Sequence, residues 1–257
     1  MRKIWFNVRP GLTAMLALLF PLITLAEPPR GISETLQLEG GTAVTSAVFP
    51  ANGQTLLLWL PSESGVVLAE HKAAAMLAKS GVEVWLPDLH GAYFLPVVPS
   101  SMSRIPAGDV ARLITTVQQR SGKAVYLVTG GSGAALALQA ATNLQKRKNK
   151  IRGAILFSPN LYVATPEPGQ EAKYLPVASR ARLPIIILQP DYSPWKWRVD
   201  ELQSRLKQGG NPVKVKFLPG VRDRFYYRED ALPPEQALAA RLPELVLDAL
   251  KLLERKR

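Results

Sequence analysis

Cysteine is absent from the 257 residues, and histidine occurs only twice, as His71 and His90. Without cysteine there are no disulfides, no thiolate nucleophile, no thiolate metal ligand and no cysteine to carry a lipid. Two histidines far apart in the chain offer no ligand spacing for a metal, so neither metal nor cofactor is expected. After Ala26 no apolar run reaches the roughly 20 residues of a membrane-spanning helix. Internal repeats and low-complexity linkers are missing too, which favours one domain over two.

Acidic residues are the scarcer charge, 20 Asp and Glu against 32 Lys and Arg, for a formal net charge of +12. The cations are spread along the chain apart from short runs at Lys146 to Lys150 and Glu254 to Arg257. No aromatic residues interleave with them, a pattern of solvated helix ends rather than of nucleic-acid binding. With 47% apolar residues the chain has enough material for a sizeable buried core.

The first 26 residues have the make-up of an export signal. Arg2, Lys3 and Arg9 precede an apolar stretch from Gly11 to Ala26, and Thr24-Leu25-Ala26 forms a small-residue cleavage site before Glu27. Cleavage there leaves a mature domain of 27–257, and loss of the three leader cations takes the net charge from +12 to +9. The expected address is the periplasm or the exterior. An uncleaved anchor is the alternative, set back by the shortness of the stretch and by Pro21. In that compartment a basic surface offers attraction to an anionic envelope component.

Hydrophobic periodicity predicts strands at Thr35 to Glu39, Ala43 to Phe49 and Thr55 to Leu60, then a helix over Val66 to Ala78. Strands at Val82 to Leu86, Ala124 to Val128, Gly153 to Phe157, Ile185 to Leu188 and Val213 to Phe217 alternate with helices from there on. Such alternation means a mostly parallel sheet covered on both faces, a three-layer α/β/α sandwich of eight strands with an antiparallel start. Ligands bind in such sheets at the carboxyl ends of the strands. The long irregular segments Pro87 to Gly108, Ser158 to Pro184 and Leu218 to Leu232 all lie there.

Directly after the fifth strand comes Gly130-Gly131-Ser132-Gly133-Ala134. It resembles the small-x-nucleophile-x-small elbow of the α/β-hydrolase fold family, with Ala134 in place of the usual last glycine. Small neighbours are needed there because strand and helix approach closely at the turn. A plain strand-to-helix connection containing a serine is the other reading. The dinucleotide fingerprint fits worse, since Leu136 stands where a glycine or alanine is wanted, and a phosphate loop fails for want of Gly-Lys-Ser/Thr.

The resemblance covers essentially the whole mature chain and implies a serine hydrolase acting on an ester, small or polymeric. It implies Ser132 as nucleophile and Asp191, in the loop after the seventh strand, as the orienting acid; Asp191 also reads as a helix cap. Oxyanion donors are implied at the Gly133 amide and in Pro61 to Gly65, where Ser62 lies. The family's histidine belongs after the eighth strand, but that loop reads Leu218-Pro219-Gly220-Val221-Arg222-Asp223-Arg224-Phe225.

His90, after the fourth strand, is the available substitute, while His71 lies inside a helix. With the third strand between the fourth and fifth, strand spacing puts His90 about 10 Å from the elbow. A serine without a base is a poor nucleophile. Three functions therefore stand side by side: a serine hydrolase built on Ser132, Asp191 and His90; a non-catalytic binder of the same fold, with Arg222, Asp223 and Arg224 as a recognition loop; and a sugar-stacking or anionic-polymer surface formed by Tyr192, Trp195 and Trp197 with Lys196 and Arg198.

Overall fold

The computed structural model describes residues 29–145, 151–167, 169–210 and 212–255. The expected export signal and the basic run at Lys146 to Lys150 lie outside the described residues. Among the described residues no helix is long and apolar enough to cross a membrane.

Eight strands form one sheet: β1 (Ile32–Gln37), β2 (Ala43–Phe49), β3 (Thr55–Trp59), β4 (Val82–Pro87), β5 (Ala124–Gly130), β6 (Ala154–Phe157), β7 (Ile185–Pro190) and β8 (Val213–Leu218). Their order is β1-β2-β4-β3-β5-β6-β7-β8. The first two strands pair antiparallel to each other, β2 also meets β4 antiparallel, and every later pairing is parallel. Helices α1 (Leu68–Lys79), α2 (Leu89–Ala92), α3 (Ala107–Ser121), α4 (Gly133–Leu144), α5 (Val177–Arg180), α6 (Val199–Lys207), α7 (Pro233–Ala240) and α8 (Leu242–Glu254) complete the chain.

The run TLLLWL shows why the sheet has two cores. Successive strand residues point to opposite faces, so Leu56, Leu58 and Leu60 join the core beneath α3 and α4, while Leu57 and Trp59 join the one beneath α1 and α8. Burial on both faces turns the usual alternation of a strand into a continuous apolar run.

The first strand begins at Ile32, three residues earlier than periodicity suggested, because backbone pairing of Ile32 with Val48 extends it. Its outward residues are exposed at the sheet edge, so the apolar signal is weak there. The terminal helical region after Pro233-Pro234 is two helices, parted at Arg241 just before Pro243. Helices α2 and α5 lie within segments read as irregular; at four residues each they leave no periodic signature.

Candidate functional site

The turn between β5 and α4 is tighter than its sequence alone reveals. Gly131 is its apex, with φ of +50°, in the left-handed region that favours glycine. Ser132 has φ of −70° and ψ of −19°, ordinary helical values, and sits at the cap position of α4. On either side of Gly131, two residues away, stand Thr129 and Gly133, and a Cβ on Gly133 would overlap the Thr129 hydroxyl and the Pro61 carbonyl. The close approach that demands small residues is therefore centred on Gly131, one residue before the serine.

Glu63, in the loop after β3, occupies this turn. Its side chain is 12% exposed. The Ser132 backbone N–H donates to Glu63 Oε2 at 2.8 Å. The carboxylate lies so close over Gly131 that a Cβ there would collide with it. Arg224, itself at φ of +63°, donates from Nη2 to Glu63 Oε1 at 3.1 Å. An amide at a helix start is a natural anion site, and here the anion is the protein's own.

In front of the turn lies a cleft of about 430 Å³, lined by Glu63, Gly130, Gly131, Ser158, Asn160 and the segment Arg222 to Arg228, with Tyr192 and Trp195 on one wall. Asp223 is anchored in it by the hydroxyls of Ser158 and Ser193, the latter at 2.9 Å. Burial raises its carboxyl above the ordinary range, and the two hydroxyls oppose the shift. Arg222, in the cleft wall, is engaged by neighbouring carboxylates. It donates to Glu235 at 2.7 and 2.6 Å and to Asp230 at 3.1 Å. Glu235 also accepts the Arg222 and Leu232 amides, at 3.0 and 2.8 Å, so that it braces this loop and caps α7.

The structure does not bring Ser132, Asp191 and His90 together. Ser132 is half-buried and is not among the residues lining the cleft. Asp191 follows β7 as expected and pairs with Lys196 at 3.2 Å. His90 lies on α2, two strand steps from β5. It is 3% exposed, both ring nitrogens are buried without a hydrogen-bond partner, and it borders a separate cleft of about 410 Å³ with His71 and Asp88. Burial pushes its pKa down, with Asp88 opposing.

Ser62 is turned into its own loop, its hydroxyl accepting from the Ser64 amide at 3.1 Å. Gly133 is buried in the first turn of α4. Of the expected site residues, Arg222 and Asp223 do line the cleft. Sequence reading passed over Glu63 and Gly131. The available signal was the doubled glycine before Ser132, which offers two registers for the apex, and an acidic residue in the loop expected to supply oxyanion amides.

Among the described residues no group of three or more His, Asp or Glu side chains is placed to hold a metal.

Strand order, parallel pairing and helices on both faces define the α/β-hydrolase fold. No protein-family profile and no curated protein matches the chain. Solved structures do match. A protein described as a dienelactone hydrolase from Klebsiella pneumoniae superposes with a TM-score of 0.62 at 13% identity, over 85% of this chain and 97% of its own. An esterase/lipase from an uncultured bacterium gives 0.62 at 14%, over 85% and 84%. Esterase 2 of Thermogutta terrifontis, in a form phosphorylated by paraoxon, gives 0.60 at 16%, over 86% and 95%. At these identities the likeness is one of fold.

Proposed function

We propose that this chain is a non-hydrolysing member of the α/β-hydrolase fold, exported to the bacterial envelope, whose cleft binds a ligand or partner without cleaving it. The observation that carries the reading is the Glu63 carboxylate on the Ser132 amide, held there by Arg224. Acyl transfer needs amide donors pointing at the oxygen that becomes negative. A carboxylate already bound to such a donor blocks that role and repels a second anion.

Two further features support it. The strained apex that would present a nucleophile is a glycine with no side chain. No imidazole lines the cleft, so no ordinary base is present to take a serine proton. The cleft keeps the means of recognition: the Asn160 amide and the rings of Tyr192, Trp195 and Tyr227. Export rests on the make-up of residues 1–26.

Hydrolysis of short p-nitrophenyl esters tests the proposal. The wild type is expected to match the Ser132→Ala variant and the buffer blank. Saturable turnover that Ser132→Ala removes would restore the hydrolase built on Ser132.

A further inference from the structure

On the far side of the segment Tyr226 to Arg228 lies a second and larger groove, of about 830 Å³, between α1 and the junction of α7 with α8. Helix α1 explains it. Its inner face, Ala73, Ala74 and Leu77, is buried in the core. Its outer row mixes apolar and cationic side chains: Leu68 and Met76 are 52% and 51% exposed, with the exposed Lys72 between them. The spacing of four residues sets all three in one row. Two large apolar side chains of this helix thus stand uncovered beside the groove.

The opposite wall is built from Ala239, Ala240, Leu242 and Pro243. Three charged residues border it, Lys72, Arg228 and Glu229. Arg228 is already paired with Asp230 at 2.8 and 2.9 Å. Lys72, in the middle of the apolar row, is thus the cation placed to meet a ligand.

We propose that this groove binds a single-chain anionic amphiphile of the fatty-acid class, its alkyl chain along Leu68, Met76 and the alanines and its carboxylate on Lys72. The volume falls within the range of about 300–1,000 Å³ usual for small-ligand sites. Lys72 within the apolar row fits a ligand with one apolar tail and one negative head, and the exposed Glu229 lies at the groove's border. A flexible methionine in the wall adapts to an alkyl chain better than a rigid side chain does. This site is separate from the cleft beside Glu63, and it stands whether or not that cleft hydrolyses anything.

Calorimetric titration of the purified protein with dodecanoate below its micelle concentration tests the proposal. Saturable binding is expected, weakened about fifteenfold for decanoate, which lacks two methylenes, because each buried methylene contributes roughly fourfold in affinity. Dodecyltrimethylammonium is expected to bind at least about tenfold more weakly than dodecanoate. Lys72→Glu is expected to weaken dodecanoate by about tenfold or more, and Ala240→Trp to remove binding by filling the trough; both sites are exposed, and circular dichroism checks that the variants fold.

The proposal is overturned by absence of saturable binding up to about 1 mM, or by affinity unchanged in both variants. It is equally overturned if sedimentation shows a concentration-dependent dimer that Ala240→Trp dissolves while dodecanoate leaves the protein untouched.

Discussion

Two glutamates carry most of what is unusual here, and they do so in opposite ways. Glu63 is held by an amide and a guanidinium over a glycine that has no room for a Cβ. Gly131→Ala therefore combines a left-handed φ with a steric overlap and is expected to cost about 2–4 kcal/mol in chemical denaturation. Adding Glu63→Ala recovers part of that loss; strict additivity in the double-mutant cycle would mean the carboxylate does not stand over Gly131. Glu70 is fully enclosed, accepting the Val67 amide at 3.1 Å and the Tyr226 hydroxyl at 3.4 Å. Burial, only partly offset by these bonds, pushes its pKa up to about 8 from 4.5.

The folded state thus keeps a proton on Glu70 that the unfolded chain gives up, and stability falls as pH rises from about 4.5 to about 8. Glu70→Gln keeps the oxygen acceptor without the charge. It is expected to be more stable than wild type at pH 8–9, by a few kcal/mol at most, with the advantage vanishing near pH 4.5. Thermal melting across that range reads the difference, and parallel curves for the two proteins would contradict it.

Among the larger elements, the β5–α4 turn shows where sequence reading succeeds and where it stops. The strands were legible, most sharply β3, β5 and β7, which are buried on both faces and read as apolar runs, whereas the start of β1 at the exposed edge was not. The position of the turn followed from Gly130 to Gly133. Its register did not, since a choice between Gly131 and Ser132 as apex depends on a backbone angle and on a glutamate 68 residues upstream of Gly131 whose approach no local pattern encodes. His90 and Ser132 were legible as lying at one edge of the sheet, while the inward burial of the imidazole was not. Arg222 read as a recognition residue; it lines the cleft, and its role as the brace between its loop and α7 was not legible.

That brace has its own acid signature. Four donors from Arg222 and Leu232 hold the Glu235 carboxyl down at about 2, the Arg222 side chain contributing most. Its contribution is complete above about pH 4.5 and is lost as pH falls from there toward 2. Glu235→Gln is expected to melt lower than wild type at pH 7, with the gap closing below pH 4.5; a gap that stays constant to pH 2.5 would count against the brace.

Seen whole, the molecule joins an α/β-hydrolase scaffold to a cleft beside a turn whose amide is occupied from within by Glu63. The fold, the basic charge and the cleft at the strand ends serve binding as readily as they serve hydrolysis, so the scaffold alone does not decide the matter. The occupied turn does bear on it. Thermogutta terrifontis esterase 2, which shares the fold, is known in a form phosphorylated by paraoxon. Incubating this protein with paraoxon or a fluorophosphonate and weighing it intact is the direct measurement. The account predicts an unchanged mass under conditions that fully label an active esterase; a stoichiometric adduct mapped to Ser132 would contradict it.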